Sequence, residues 1–391
     1  MTGSSPPRRI AFAVFRLAPA GGLEQHALRL AAILVGRGCD VTVVTTRAPA
    51  GPPPAGVAVE MVAARGRTNH GRLAAFAEDA AGAIAGRFDA SVAFHALPGF
   101  DAIFCADPSR AAPPGLRRWL PRYRAYADLE RQAMAAGGAD PVLLLSTAQL
   151  EAFAANHFGV RDRLRLLPPT IDRRRAATIT PAAKAAARAA LGLDVNASVW
   201  LWIGLQPRTK GLDRALKALI AAPAARLLVC GLDPASRPGA AMVVAARRLG
   251  VAECVRWLGF ATDAGMAQAL AAADVLVHPS RADVTGTVIL EAMAGGVPVI
   301  TTAVCGYGEH VIAGRAGAVL PEPFDARAFD AALAEATPAT LADWSANAAR
   351  YSSNDALYSG LERAADLILA VGSDRAAAGS VAPGAAPAAG D

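Results

Sequence analysis

DVLVHPSRADVTGTVILEAMAGGVPVITTAVCGYGEH (274–310) changes its periodicity three times within one short stretch. Val275 to His278 is an apolar run closed by Pro279, Thr287 to Met293 carries apolar residues at helical spacing, and Val297 to Thr301 returns to a β-branched run. The stretch predicts strand, loop, helix and strand, a βαβ unit. In such units ligands sit beyond the carboxyl ends of the strands, here the loop Ser280 to Gly286. The free N–H groups and dipole of the following helix favour an anion, so a phosphate is expected at Gly286 and Thr287. Asp283 lies in the loop and Glu291 inside the helix, separated by seven residues, a spacing that lets both carboxylates face one ligand.

The rest of the chain repeats this alternation. Its 391 residues exceed the usual size of one hydrophobic core, so two domains are expected. At 53% hydrophobic and 18% charged, with much Ala, the composition suits helices packed closely on parallel sheets. No apolar run approaches the roughly 20 residues of a membrane span. MTGSSPPRRI leads straight into a strand without the apolar core of a secretory signal, so a cytoplasmic protein is expected. The five cysteines show no C-x-x-C pair, which argues against a disulfide framework or a zinc site. A net charge of +6 favours an anionic partner. Aromatics are few and not interleaved with a basic stripe, so nucleic acid is not expected.

In chain order, Ile10 to Phe15 reads as the first strand and Leu23 to Val35 as the first helix, joined through Gly21 and Gly22, which let backbone approach a ligand closely. The pair is not G-x-G-x-x-G, which removes the main support for a dinucleotide-dependent oxidoreductase. Asn69, His70 and Arg72 sit at a strand-to-helix junction, either as an acceptor-binding loop or as a helix cap formed by Thr68 or Asn69. After the strand Ser91 to Phe94, Asp101 is expected to face a cleft. His26 is a candidate to orient a substrate hydroxyl or a polar residue at the buried end of its helix. Arg117, Arg118, Arg122 and Arg124 flank Trp119 and Tyr123 within the segment 110–131, with Leu116, Trp119, Leu120, Tyr123 and Ala127 on one helical face. That pattern suits either an anionic membrane surface or a solvated helix packed on its own domain, and Pro121 must start or kink the helix. LPPTID (167–172) reads as a stiff linker, after which Arg208 and Lys210 stand between a strand end and a helix, where they can meet a diphosphate.

AGGLEQ (20–25), RTNHGR (67–72), LPGFDAIFCAD (97–107), TKGLDR (209–214), the stretch 283–310 and ANAARYSSNDALYSGLERAADLI (346–368) together resemble family 4 retaining glycosyltransferases, most closely lipopolysaccharide core glucosyltransferases of the WaaG type. Asp283 and Glu291 occupy that family's E-x7-E positions, with Asp in the first place, and Thr209 and His26 stand where the family carries Arg and often Asp. The resemblance implies a GT-B fold, two Rossmann-like doubly wound parallel sheets facing across a cleft. It divides the chain into an acceptor-binding domain (1–168), a nucleotide-sugar-binding domain (172–345) and C-terminal helices that return to the first domain (346–371), while the Ala-, Gly- and Pro-rich composition of 372–391 predicts a disordered tail. It implies transfer of glucose from UDP-glucose to an inner-core heptose, with retention, at the inner face of the inner membrane. The residues carried over are Gly21 and Gly22 near the donor diphosphate, Arg208 and Lys210 neutralising it, Glu291 on the ribose and Asp283 on the glucose. Asp101 and His26 would orient sugar hydroxyls. No cofactor or metal is expected, since no D-x-D is present. Other nucleotide sugars and acceptors would use the same residues, and a nucleotide-sugar binder without turnover stays open beside them.

Overall fold

A computed structural model of the chain describes residues 7–17, 22–49, 51–111, 115–173, 179–260 and 262–379. Gly21 therefore lies outside the described residues. Contacts divide the chain into two units, 1–168 with 359–391, and 169–358. Among the described residues, no helix is long and apolar enough to cross a membrane.

The first unit is a seven-stranded parallel sheet in the order β3-β2-β1-β4-β5-β6-β7. Its strands are β1 (Arg9–Ala13), β2 (Asp40–Thr45), β3 (Val57–Met61), β4 (Ala90–Ala93), β5 (Ala102–Cys105), β6 (Val142–Leu144) and β7 (Leu164–Leu166). The apolar runs of β1, β2, β4, β5 and β6 are buried on both faces, as helix-covered parallel strands require, while the edge strands β3 and β7 stay partly exposed. One face packs against α1 (Gly22–Gly36) and α13 (Gly360–Gly379), through Leu30, Leu34, Leu361 and Ile368. The other packs against α2 (Asn69–Ile84) and α3 (Pro121–Met134), through Phe76, Ala80, Leu129 and Met134.

The second unit holds six parallel strands in the order β10-β9-β8-β11-β12-β13. They are β8 (Ser198–Ile203), β9 (Ala225–Cys230), β10 (Val255–Gly259), β11 (Val275–His278), β12 (Val299–Thr302) and β13 (Gly317–Leu320). The strand order reverses between β8 and β11 here, and between β1 and β4 in the first unit. Loops leaving the carboxyl ends of two neighbouring strands diverge at such a point and leave a crevice for a ligand.

Several expectations are corrected. The helix α12 (Pro338–Ser352) packs on α9 (Thr287–Ala294) and α10 (Gly308–Gly314), so the return to the first unit begins near Ser359 rather than at 346. The helix α13 continues to Gly379, into the stretch expected to be disordered, while 380–391 lie outside the described residues. The segment 110–131 is not one helix: a 3-10 turn over Gly115–Trp119 precedes α3, with Pro121 in its first turn, where a missing N–H costs nothing.

Asp101 is the largest correction. The strands β4 and β5 are parallel, so the chain from His95 to Asp101 must travel back along the sheet. His95 stays at the carboxyl edge, and Asp101 ends at the amino edge. There its Oδ2 accepts from the Ser91 backbone N–H (2.9 Å) and the Ser91 hydroxyl (2.7 Å), joining the starts of β4 and β5. Asp101→Ala is expected to lower the free energy of unfolding by about 1–3 kcal/mol, because two donors at Ser91 lose their acceptor. Chemical denaturation measures this, and an unchanged midpoint would refute the structural role.

Candidate functional site

The crevice of the second unit is built from the loop after β8, the loop after β11 and the turn after β12. Asp283 is its centre. Its Oδ2 lies 2.6 Å from Lys210 Nζ and 2.9 Å from His278 Nε2, and its Oδ1 accepts from the Gly286 N–H at 3.0 Å. Burial alone would push this carboxyl up, but the hydrogen bond and charge of His278, with the charge of Lys210, outweigh it and hold the group at about 2. For His278, burial disfavours the charged ring, yet hydrogen bonds to Asp283 and Cys305 and their charges raise it to about 9. Asp283 is therefore fixed as an anion at the mouth of α9.

Two glycines allow this meeting of loops. Gly211 has φ +73° at the start of α6 (Leu212–Ala218), and a Cβ there would stand 1.9 Å from the Pro279 carbonyl oxygen. Only a residue without a side chain lets the Lys210 loop lie against the strand that delivers Asp283. Gly286, with φ +78°, ends the Asp283 loop, and a Cβ there would meet the flexible tip of Ile289 at 2.8 Å. It is followed by Thr287, whose Oγ1 lies 3.4 Å from that of Thr285. Glu291, one turn into α9, is 8% exposed. Arg208 is exposed in the loop before Lys210, and its carbonyl accepts from Arg281 (2.6 Å), which also pairs with Asp213 (2.7 Å). The structure thus brings Lys210, Asp283, Gly286 and Thr287 together, with Glu291 on the same short helix. Lys210, expected on a diphosphate, is paired with Asp283.

In the first unit a cavity of about 210 Å³ opens at the corresponding edge of the sheet, lined among others by Arg16, Asn69, His95, Asp107, Arg110 and Tyr126. His95 Nδ1 is 2.7 Å from Asp107 Oδ2, Arg110 Nη2 donates to Asp107 Oδ1 at 2.8 Å, and the Arg110 guanidinium lies 4.6 Å from the Tyr126 ring centroid. Burial would raise the Asp107 carboxyl, but His95 and Arg110 hold it below the usual carboxylate range. The residues after β4 and β5 fill the place expected for Asp101. Their signal in the sequence is a polar residue directly after a strand's last apolar position, His95 after Phe94 and Asp107 after Ala106.

The other expected residues divide between these roles. Thr68 caps α2 by accepting from the Gly71 N–H (3.1 Å), Arg72 donates to the Gly66 carbonyl (2.9 Å), and His70 meets the Tyr126 ring edge-on at 6.4 Å. Of the three expected in the acceptor loop, Asn69 lines the cavity. His26 is buried in α1 with its ring 5.9 Å from Phe104, and burial, with the charge of Arg29, lowers it to about 4, so it stays neutral. Gly22 begins α1, where a Cβ would meet nothing within 4 Å. In the basic segment Leu116 is 83% and Trp119 66% exposed, with Arg118 5.5 Å from the Trp119 ring and Arg122 4.7 Å from that of Tyr123. Arg124 is exposed, and the side chain of Arg117 lies outside the described residues.

The family model for glycosyl transferases group 1 matches residues 197–337. Lipopolysaccharide glucosyltransferase WaaG of Escherichia coli K12 is 32% identical over 92% of this chain and 98% of its own length. The crystal structure of WaaG, a glycosyltransferase involved in lipopolysaccharide biosynthesis, matches with a TM-score of 0.84 at 30% identity, over 92% of this chain and 99% of that one. Sucrose-phosphate synthase from Thermosynechococcus elongatus shares the fold with a TM-score of 0.76 at 22% identity, over 95% and 100% of the two chains.

Two outcomes follow from the geometry of the second unit. Gly211→Ala is expected to cost more than the roughly 1–2 kcal/mol of a left-handed alanine, because its methyl also meets backbone, and to destabilise more than Gly286→Ala, which meets a movable side-chain tip. Equal losses in denaturant unfolding would remove the Pro279 contact from the account. The pair His278 and Asp283 also sets a pH window. The raised His278 contributes stability in full below its ordinary 6.5 and loses it as pH rises through about 9, while the lowered Asp283 contributes above 3.8 and loses it as pH falls through about 2. The unfolding temperature of the parent should fall between pH 6.5 and 9 more steeply than that of His278→Gln.

Proposed function

Since this chain belongs to the family of WaaG, the group 1 glycosyltransferases, and has their GT-B fold, we propose that it transfers glucose from UDP-glucose to a heptose of the lipopolysaccharide inner core, with retention at the anomeric carbon. The observation that carries the reading is the Lys210–Asp283 pair at the strand-order reversal, with Glu291 inside the helix that Gly286 begins. The donor's diphosphate would lie against the N–H groups of α9, and Lys210 would turn from Asp283 to a phosphate oxygen, with Arg208 in reserve at the rim. Glu291 would hold the ribose hydroxyls, and Asp283 the glucose. As the bond from the anomeric carbon to the phosphate oxygen breaks, the acceptor oxygen forms its bond on the same face. Its proton passes to the departing phosphate, and UDP leaves. These roles rest on the chain's own charges; no metal or cofactor enters them.

Asn69, His95 and Arg110 are suited to take acceptor hydroxyls in the first unit's cavity. The exposed Leu116, Trp119 and Leu120, ringed by Arg118, Arg122 and Arg124, support docking on an anionic membrane surface that holds a lipid-anchored acceptor. On this reading the protein acts in the cytoplasm, at the inner face of the inner membrane.

Release of UDP, measured against a set of UDP-sugars with and without heptose-bearing core acceptor, tests the reading. UDP-glucose should be the preferred donor, and no acceptor-dependent release from any UDP-sugar would end the proposal. Glu291→Gln and Lys210→Ala should each lower turnover by at least about tenfold, the equivalent of one charged contact, whereas Asp283→Glu should keep activity or raise it. Parent rates in the first two variants would withdraw the site assignment. At the membrane, changing Arg118, Arg122 and Arg124 to Gln should remove about 1 kcal/mol of attraction per residue and abolish sedimentation with anionic vesicles at low salt. Undiminished sedimentation of a folded triple variant would place the docking surface elsewhere.

A further inference from the structure

Cys305 has no part in this reading, yet the fold carries its thiol to the donor loop. The register of β11 and β12 sets His278 beside Thr301, and a parallel bridge sets Asp283 beside Cys305. As a result one ligand atom each from His278, Asp283 and Cys305 lies within 4.8 Å of the other two. Asp283 Oδ1 is taken by the Gly286 N–H, which leaves Oδ2 toward the cluster, 2.9 Å from His278 Nε2. Thr301 Oγ1 lies 3.3 Å from Cys305 Sγ, an outer contact of the kind that steadies a thiolate ligand.

Imidazole nitrogen, thiolate sulfur and carboxylate oxygen form a donor set for a borderline-soft ion with tetrahedral preference, and a poor one for Mg2+ or Ca2+. With Zn2+ bonds of about 2.0–2.3 Å, neighbouring ligand atoms stand roughly 3.3–3.6 Å apart, so imidazole and carboxylate need to separate by only about half an ångström. We propose that His278, Asp283 and Cys305 form an inhibitory Zn2+ site within the donor loop. Two features distinguish it from the site of a resident structural ion. It offers three protein ligands instead of four. Among the described residues, His278 Nδ1 also has no hydrogen-bond partner, where a ligating histidine ordinarily donates its second N–H to an acceptor. Such a site fills when the ion is available and empties to a chelator. Filling it draws Asp283 Oδ2 away from Lys210, which is partly exposed and can turn to solvent. The protons displaced from His278 Nε2 and Cys305 Sγ pass to water. The ion then holds the Asp283 carboxylate that the glucose would need, and turnover falls.

Co2+ titrated into the metal-free full chain tests this directly. The parent should develop a sulfur-to-cobalt charge-transfer absorption that saturates at one equivalent and is displaced by Zn2+. Cys305→Ser and Cys305→Ala should both lack the band, while Cys254→Ser, which removes a partly exposed thiol elsewhere, should keep it. Excess Zn2+ should slow UDP release by the parent at least about tenfold, reversibly with EDTA, and slow Cys305→Ser less than twofold. A parent without the thiolate band, a band that survives loss of Cys305, or equal inhibition of parent and variant would overturn the proposal. The absorption requires no turnover, so it separates failure of the metal site from failure of the donor assignment.

Discussion

A carboxylate largely withdrawn from water has to be met by donors, and the second unit is arranged around meeting that of Asp283. Removing an anion from water without compensation is far costlier than any single packing contact returns. Three groups answer it from different parts of the chain: Lys210 after β8, His278 at the end of β11 and the Gly286 N–H at the start of α9. The arrangement holds only because Gly211 carries no side chain where the Lys210 loop touches Pro279. Remove that allowance and the loops part, leaving Asp283 to His278 and the Gly286 N–H without the Lys210 charge.

The first unit solves a similar problem with other residues. Asp107 after β5 is held by His95 after β4 and by Arg110, and this cluster again stands at the carboxyl edge near the reversal of strand order. The two units therefore share a rule rather than a motif. Charged side chains are delivered by loops that leave parallel strands at one edge, and the opposite edge is used for structural ties. Asp101 with Ser91 is one such tie. Asp274, which pairs with Lys184 and Arg188 and accepts from the Val199 N–H, is another.

The aspartate at 283 also explains its own surroundings. Its short side chain keeps the carboxylate within the loop, close enough to accept from Gly286 three residues on and to reach the histidine that ends β11. Cys305 is drawn into the same group by backbone pairing and not by any sequence signal. In a chain whose five cysteines show no paired spacing, its chemical setting is visible only when strands β11 and β12 are laid side by side.

What the sequence determined by itself is local and periodic. The stretch 274–310 carries strand, helix and strand in its apolar spacing, the loop between Ser280 and Gly286 follows from the breaks in that spacing, and the separation of Asp283 from Glu291 places one carboxylate before the helix and one within it. Those features depend on residues a few positions apart, and short-range geometry settles them. The pairing of Lys210 with Asp283 spans two strand-end loops, and the exclusion of Asp101 from the cleft depends on β4 and β5 running parallel. Periodicity reports which side of a strand a residue faces, but it carries no information on which strand lies next to it or at which edge the chain re-enters. Only the tertiary structure decides these, because strand order and direction are set by the packing of whole helices on the sheet.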